Sequence, residues 1–407
     1  MEELLRHLAE AQQQITGYIY PNEIELHWGL VIVLYPFITG LVAGAFILAS
    51  LERVFNVKEV QPTYRLSLLT ALAFLLVAPL PLLAHLGHPE RAFEIFLTPH
   101  LQSAMAMFGF VYAWYLTVVL LLEVWFDYRR DIVVWSRTYR GWRRVLYSIL
   151  SLGVVSTSEE SLKFDERAGR FITIVGIPSA FLLHGYVGFI FGSVKANPWW
   201  SSVLMPIVFL FSAIVSGIAL VLLIYMVSSW LRKHPIDMPC LDKLGQFLFY
   251  ALILDVSLEL LDFVHRLYEA EESIDILAQM VQSRLFTSRV VVQALMGTVV
   301  PLVVLAVVRA LKPRELVRKV AYFGTGILIL VAIFFMRWNV VLGGQLFSKS
   351  LRGLTVYKIG LAGAEGAVTA GILTLLPFVI LIVLVRLLPP WSGKSGVREV
   401  GQQTHSS

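Results

Sequence analysis

The chain has 407 residues, of which 57% are hydrophobic and only 15% are charged, and its mean hydropathy is +0.74. Soluble globular domains carry roughly 25% charged residues, so this composition excludes an ordinary soluble protein. The net charge of +5 is not gathered into a basic, aromatic-rich patch of the kind that binds nucleic acids. Cys240 is the single cysteine, so the chain can form neither an internal disulfide nor a cysteine-ligated iron–sulfur cluster by itself.

Unbroken apolar runs recur along the whole chain, each with about the 20 residues that cross a bilayer core as a helix. Backbone groups cannot stay unpaired in lipid, so these runs are predicted to be helical. We therefore predict an all-α, polytopic membrane protein of about nine spans, built as two four-helix bundles plus an extra helix. The predicted spans are 28–52, 64–86, 101–126, 171–195, 200–231, 243–267, 289–311, 317–337 and 360–388.

Basic residues indicate the orientation of these spans. Loops on one side hold 23 of the 33 Lys and Arg residues, and such loops stay in the cytoplasm. The N-terminus is then outside, with 1–27 as an extracytoplasmic segment, 28–388 as one integral membrane domain and 389–407 as a flexible cytoplasmic tail. Segment 1–27 lacks the basic-then-apolar order of a signal peptide. The basic, aromatic loop 127–170 is predicted to lie on the membrane surface or to bind a cytoplasmic partner.

The sixth predicted span carries Asp255, Glu259, Asp262 and Arg266 on one helical stripe. Each ionisable group in a bilayer costs about 2.5–3.5 kcal/mol on insertion scales, so the stripe must face protein or a wet cavity. We predict that Asp255, Glu259 and Asp262, with Glu365 of the ninth span, form a proton path. The alternative is a structural ion-pair network with Arg266 and arginines of neighbouring spans.

Histidines occur mainly at the outer ends of the spans, where we expect a site. Only His184, in the fourth span, is predicted to lie deep in the membrane. A membrane b-type haem needs two histidines facing each other at one depth, so no haem and no other metal is expected in this chain. A lone intramembrane histidine is more often hydrogen-bonded to a neighbouring helix than bound to a ligand, and for His184 both interpretations stay open.

The stretch 85–116, HLGHPERAFEIFLTPHLQSAMAMFGFVYAWYL, resembles the NrfD/PsrC family of membrane subunits. In that family a D-L-G-x-P-x-R turn and a Ser-x-Met segment join the second and third spans. His85 stands here in place of the family's Asp, which puts a carboxylate role at this position in doubt. Stretches 182–220, 335–350 and 357–371 are similar to a longer branch, which includes hydrogenase-2 type membrane subunits and the membrane subunit P of the Dsr complex of sulfate and sulfite reducers.

The resemblance implies a bound menaquinone, no redox cofactor in the chain, and an extracytoplasmic ferredoxin-like partner with [4Fe–4S] clusters. A Dsr-type complex would add a multihaem cytochrome c, a membrane cytochrome b and heterodisulfide-reductase-like subunits. The family's quinone pocket maps onto Asn22, Glu23, His27, Gly87, Arg91, Ser103, Met105 and His184. In this interpretation His27 hydrogen-bonds one quinone carbonyl and Glu23 reprotonates it.

The sequence therefore predicts a menaquinone-reactive subunit of a respiratory redox complex in the cell membrane, serving sulfur or sulfite metabolism and coupled to proton movement. Two alternatives remain open. A passive anchor would hold redox subunits without binding quinone. An ion- or proton-translocating, transporter-like subunit would also explain intramembrane carboxylates, and inverted repeats would be its mark.

Overall fold

A computed structural model describes residues 15–98, 102–269 and 273–391, without the side chains of 104–106 and 269. Its long helices lie at the apolar runs, as the sequence predicts. The helices are α1 (Leu30–Arg53), α2 (Tyr64–Val77), α3 (Leu80–His85), α4 (Glu94–Leu97), α5 (Ala104–Trp114), α6 (Leu122–Thr138), α7 (Trp142–Leu150), α8 (Glu159–Gly192), α9 (Met205–Leu231), α10 (Met238–Glu269), α11 (Ile274–Met280), α12 (Val300–Leu311), α13 (Glu315–Val341) and α14 (Ala367–Leu387). A π-helical stretch, Tyr115–Leu121, joins α5 to α6, and another, Val281–Val299, joins α11 to α12.

Eight helical segments of the described ranges are long and apolar enough to cross a membrane, which confirms a polytopic all-α membrane protein. Helix α10 corresponds to the sixth predicted span and is 32 residues long. It is not among these eight segments. The count of nine spans and the orientation therefore stay predictions.

The helices pack as two groups of four, as the sequence predicts. The first group contains α1, α2, the α5–α6 segment and α8, and the second contains α9, α10, the α11–α12 segment and α13. Helix α14, the predicted extra helix, packs against α2 and α1 of the first group. The contact between the groups is centred on α1 and α9, so polar residues on these two helices can meet residues of both bundles.

Two glycines allow α1 and α9 to approach closely. A Cβ on Gly44 would lie 2.0 Å from the carbonyl oxygen of Ala213, and one on Gly217 would lie 2.3 Å from the carbonyl carbon of Gly44. Small residues let membrane helices bring their backbones together, and Gly44 and Gly217 do so here.

The predicted outer ends of the helices are covered by a cap made of two distant segments. Thr16–Gly17 (β1) pairs antiparallel with Gly353–Leu354 (β2), and Thr355 Oγ1 donates to the carbonyl of Ile24. The Gln345 side chain accepts from the N–H of Trp28 at 3.0 Å and donates to its carbonyl at 3.2 Å. The cap therefore fixes the start of α1 against the chain that leads from α13 to α14.

On the opposite face, ion pairs and a short amphipathic helix complete the fold. Arg65 bonds both Asp127 at 2.6 Å and Asp131 at 2.7 Å. Helix α7 buries Tyr147, whose hydroxyl donates to the carbonyl of Leu387 at 2.8 Å. Its other face exposes Trp142 and apolar neighbours, as expected of a helix on a membrane surface.

Candidate functional site

The turn after α3 and the loop before α14 meet at one ionisable pair. His85 is the last residue of α3, and its Nδ1 lies 2.9 Å from Oε1 of Glu365. A carboxylate accepts only, so Nδ1 carries the proton and donates it. The side chains are 28% and 46% exposed, which leaves them accessible at the surface. The sequence assigned Glu365 to the proton path of α10, but the structure brings it to the turn.

Tyr357 and the start of α1 lie beside this pair. The N–H of Leu30 donates to the Tyr357 hydroxyl at 2.8 Å. A Cβ on Gly29 would lie 3.0 Å from that hydroxyl and 3.8 Å from Oε2 of Glu365. Burial raises the pKa of Tyr357, so its phenol stays protonated at neutral pH. This outer cluster, defined as Gly29, His85, Tyr357 and Glu365, thus joins three separate parts of the chain.

Glu23 is hydrogen-bonded within the cap. Its carboxylate accepts a short hydrogen bond from the Ser348 hydroxyl and another from the N–H of Lys349 at 3.1 Å. Among the described residues no hydrogen bond links Glu23 to His27, so the reprotonation route expected from sequence lacks a direct contact. Asn22 and His27 are exposed at the same face, next to the start of α1.

The remaining residues mapped from the resemblance surround the turn. Arg91 donates to Glu94 at 2.8 and 2.9 Å, and this hydrogen-bonded pair raises the pKa of Arg91. Gly87 has open space where a Cβ would lie, and Ser103 is exposed immediately before α5. The side chain of Met105 lies outside the described residues.

His184 lies in the interior, fully buried between the two bundles. Arg337 of α13, also fully buried, donates from Nη2 to His184 Nε2 at 3.0 Å and to Ser212 Oγ at 2.6 Å. Thr39 Oγ1 lies 3.3 Å from Nδ1 of the same ring and donates to the Tyr35 carbonyl. Because Nε2 accepts from a guanidinium, the proton of the neutral imidazole sits on Nδ1 and is donated to Thr39. His184 therefore connects α13 to α1 in the interior and is not part of the outer cluster.

An aromatic column connects this interior pair to the outer face. Trp28, which follows His27, stacks on Trp200 at 5.3 Å between ring centroids. Phe191 contacts Trp200 at 5.4 Å and Phe209 at 5.9 Å, and Phe209 stacks on His184 at 5.7 Å. The rings fill the space between the outer ends and the Arg337–His184 pair with apolar contacts.

The acidic stripe of α10 is enclosed by polar partners from other helices. Asp255 is buried, and its Oδ1 has no hydrogen-bond partner in the described part of the chain. Glu259 accepts from Gln293 at 3.1 Å and from Arg289 at 3.4 Å. Gln293 in turn accepts from Asn339 at 2.9 Å. The stripe thus faces protein, as the sequence predicts.

The C-terminal part of the stripe has an ion pair of the kind that the structural alternative predicts. Asp262 accepts from Arg266 at 2.9 Å and makes a short hydrogen bond with Ser202. Arg337 and Asp255 attract each other electrostatically but form no ion pair in the described part of the chain.

Sequence reasoning missed Arg337 and Glu123. Glu123 of α6 is fully buried in the first bundle, accepts from Thr173 Oγ1 at 2.6 Å and leaves Oε2 without a partner in the described ranges. Each is a single charge in an otherwise apolar run, the same signal that drew attention to α10. Among the residues that the structure describes, no three His, Cys, Asp or Glu side chains converge as a metal site.

Long apolar helices in two bundles, with ionisable side chains enclosed between them, define a multi-pass integral membrane protein of the cell membrane. Residues 21–349 match the model of the family described as "Polysulphide reductase, NrfD". The chain therefore belongs to the NrfD family, which confirms the resemblance. The finer likeness to the Dsr-type subunit stays a prediction.

Three relatives are similar over about half of the chain. A selenate reductase subunit of Mesobacillus selenatarsenatis is 33% identical over 59% of this chain and 57% of its own length. Protein NrfD of Escherichia coli is 26% identical, covering 49% and 59%. The Hdr-like menaquinol oxidoreductase integral membrane subunit of Archaeoglobus fulgidus is 26% identical, covering 48% and 40%. The chain spans about half the length of these relatives, some of which are named as subunits of redox enzymes.

Proposed function

We propose that this chain is the menaquinone-reactive membrane subunit of a multi-subunit redox complex, with its reaction site at the outer cluster. The proposal rests on the accessible His85–Glu365 pair. Quinone chemistry needs a group that exchanges protons beside an apolar surface open to lipid. Leu86, Phe93 and Leu97 expose that surface along the same turn.

The pair is arranged for proton exchange in either direction. Because Nδ1–H of His85 is donated to Glu365, the other ring nitrogen, Nε2, keeps a lone pair that can take a proton from a quinol hydroxyl. The carboxylate of Glu365 then stabilises the imidazolium. In the reverse direction the imidazolium returns the proton to a quinone oxygen. Tyr357 holds the start of α1 against this pair and is a positioning residue.

Electrons must pass to or from a partner, because one cysteine cannot hold an iron–sulfur cluster. The relatives named as a selenate reductase subunit and as a menaquinol oxidoreductase subunit support such a complex. An extracytoplasmic ferredoxin-like subunit with [4Fe–4S] clusters is the proposed partner. Service in sulfur or sulfite metabolism, with the further subunits of a Dsr-type complex, rests on the sequence resemblance alone.

The acidic stripe of α10 is the proposed route for protons through the second bundle. Asp255, Glu259 and Asp262 are spaced along one helix face. Glu259 accepts from Gln293, Asp262 makes a short hydrogen bond with Ser202, and Asp255 is buried with an unpartnered Oδ1 in the described part of the chain. Electrostatic attraction between Asp255 and Arg337 would couple this route to the interior pair.

The test uses the complex purified through a tag on this chain, with a soluble menaquinol analogue and an artificial electron acceptor. His85→Ala and Glu365→Gln are each expected to slow oxidation by about a hundredfold, the usual contribution of a positioned acid–base group. His88 and Glu90 form a matched control pair, at 3.0 Å but 76% and 66% exposed.

His88→Ala and Glu90→Gln should keep the parent rate. A His85→Ala complex that oxidises the quinol as fast as the parent complex would reject the outer cluster as the site. A complex that neither contains nor oxidises any quinol would favour the passive anchor.

A further inference from the structure

A cavity of about 440 Å³ opens among α10, α12 and α13 on the face that the basic residues assign to the cytoplasm. Part of its wall is apolar and consists of Phe249, Leu305 and Val308. Its other lining side chains are largely charged. A space with an apolar wall and a charged mouth at the end of membrane helices has the two parts that a phospholipid needs, one for an acyl chain and one for a headgroup.

The charges in this cavity do not balance. Four cations, Lys243, Arg309, Lys312 and Arg318, face two carboxylates, those of Glu59 and Asp242. The net charge of the lining is therefore +2, which would attract an anion.

The ion pairs show which cations are left over. Arg318 makes a short ion pair with Asp242, and Lys243 lies 3.5 Å from Glu59. Arg309 donates to the Tyr250 hydroxyl at 2.9 Å. Within the described ranges neither Arg309 nor Lys312 has a carboxylate partner, so these two supply the excess positive charge.

A further observation indicates an unfilled anion position. Nε of Arg318 is buried without a hydrogen-bond partner in the described part of the chain, although buried guanidinium donors are normally paired.

We propose that this cavity binds the phosphate of an anionic phospholipid headgroup, with Lys312 and Arg309 contacting the phosphate and the Phe249–Leu305–Val308 wall contacting an acyl chain. The site lies away from the outer cluster and does not depend on the quinone proposal. Each basic side chain near an anionic headgroup contributes enough to change its binding by roughly fivefold.

The test is native mass spectrometry of the full chain released from nanodiscs that contain phosphatidylglycerol in phosphatidylcholine. The parent protein should retain phosphatidylglycerol, and Lys312→Ala should retain roughly fivefold less. Lys312→Arg keeps the charge and should retain nearly as much as the parent. Lys163→Ala is the matched control, because Lys163 is 62% exposed and pairs with Glu159 on the same face.

The outcomes are separable. Equal retention by Lys312→Ala and Lys163→Ala would overturn the site. Loss of phosphatidylglycerol from the parent protein on addition of millimolar inorganic phosphate, with phosphate adducts in its place, would show a free-anion site and overturn the lipid assignment. Melting temperatures of all variants, measured in parallel, verify that each is folded.

Discussion

Arg337 donates from Nη2 to Nε2 of His184 at 3.0 Å, at a point where both side chains are fully buried between the two helical bundles. Since a guanidinium cannot accept a hydrogen bond, this contact sets the tautomer of the imidazole and directs its Nδ1–H towards Thr39 of α1. One hydrogen-bonded chain thereby connects α13 of the second bundle with α8 and α1 of the first bundle. The aromatic column lies between this chain and the outer face.

We predict that Arg337→Met lowers the stability of the protein in detergent. The change leaves the His184 and Ser212 acceptors without their donor, and each unsatisfied buried group costs about 1–3 kcal/mol. The melting temperature of the purified protein should fall clearly. Arg91→Met is the matched control, because Arg91 is exposed and pairs only with Glu94 in the described structure. Equal melting temperatures for both variants would mean that the buried contact contributes nothing.

The close approach of α1 and α9 gives a second prediction. Gly44→Ala places a methyl group 2.0 Å from the Ala213 carbonyl, so the helices must separate. Overpacking of this kind costs about 1–3 kcal/mol, and thermal unfolding should show the loss. Gly324→Ala in α13 meets no atom within 4 Å and removes an entropic cost of about 1 kcal/mol, so it should be neutral or stabilising. A Gly44→Ala protein as stable as Gly324→Ala would argue against the described helix contact.

Much of the fold follows from the sequence because the bilayer imposes it. Unbroken apolar runs predict helices, short connections predict neighbours, and small residues such as Gly44 predict close contact. The ends of helices are less predictable: the runs place a span at 289–311, whereas the helix begins at Ile274 and continues through a π-helical stretch. Hydrophobicity alone carries no information about where a polar flank stays helical.

The sequence drew attention to two residues of the outer cluster separately, but it did not predict that they meet. His85 and Glu365 are each conspicuous in the sequence, yet 280 positions separate them, and only the packing of α14 against the first bundle brings them together. Likewise the 153 positions between His184 and Arg337 hide their contact. Sequence spacing reports neighbours along one helix, such as Asp255 and Glu259, whereas contacts between helices depend on the tertiary fold.

The acidic stripe leads to a prediction about coupling. Glu259→Gln retains a side-chain oxygen that can accept the hydrogen bond from Gln293, but it removes the negative charge and the exchangeable carboxyl proton. Quinol oxidation should continue within about twofold of the parent rate, while the number of protons moved per electron falls in proteoliposomes. The measurement is the quench of a pH-sensitive dye during turnover. Glu160→Gln, on the exposed start of α8, is the control, and an unchanged proton ratio in Glu259→Gln would remove the stripe from the proton route.

The His85–Glu365 pair allows a test by exchange. In the family's usual turn an Asp stands where His85 stands here, so His85→Asp restores that residue but places two carboxylates next to each other. Like charges at this distance repel each other, and the variant no longer has an imidazole–carboxylate pair. We expect the single variant to oxidise quinol at least about tenfold more slowly than the parent complex.

The double variant His85→Asp with Glu365→His re-creates an imidazole–carboxylate pair with the partners reversed. If the function of the cluster is proton exchange by such a pair, the double variant should recover at least part of the rate that His85→Asp loses. The quinol oxidation rates of the parent, both single variants and the double variant form a complete cycle, from which the coupling between the two residues is read directly. Losses that simply add would show that His85 and Glu365 act independently, and the outer cluster would then be a structural contact.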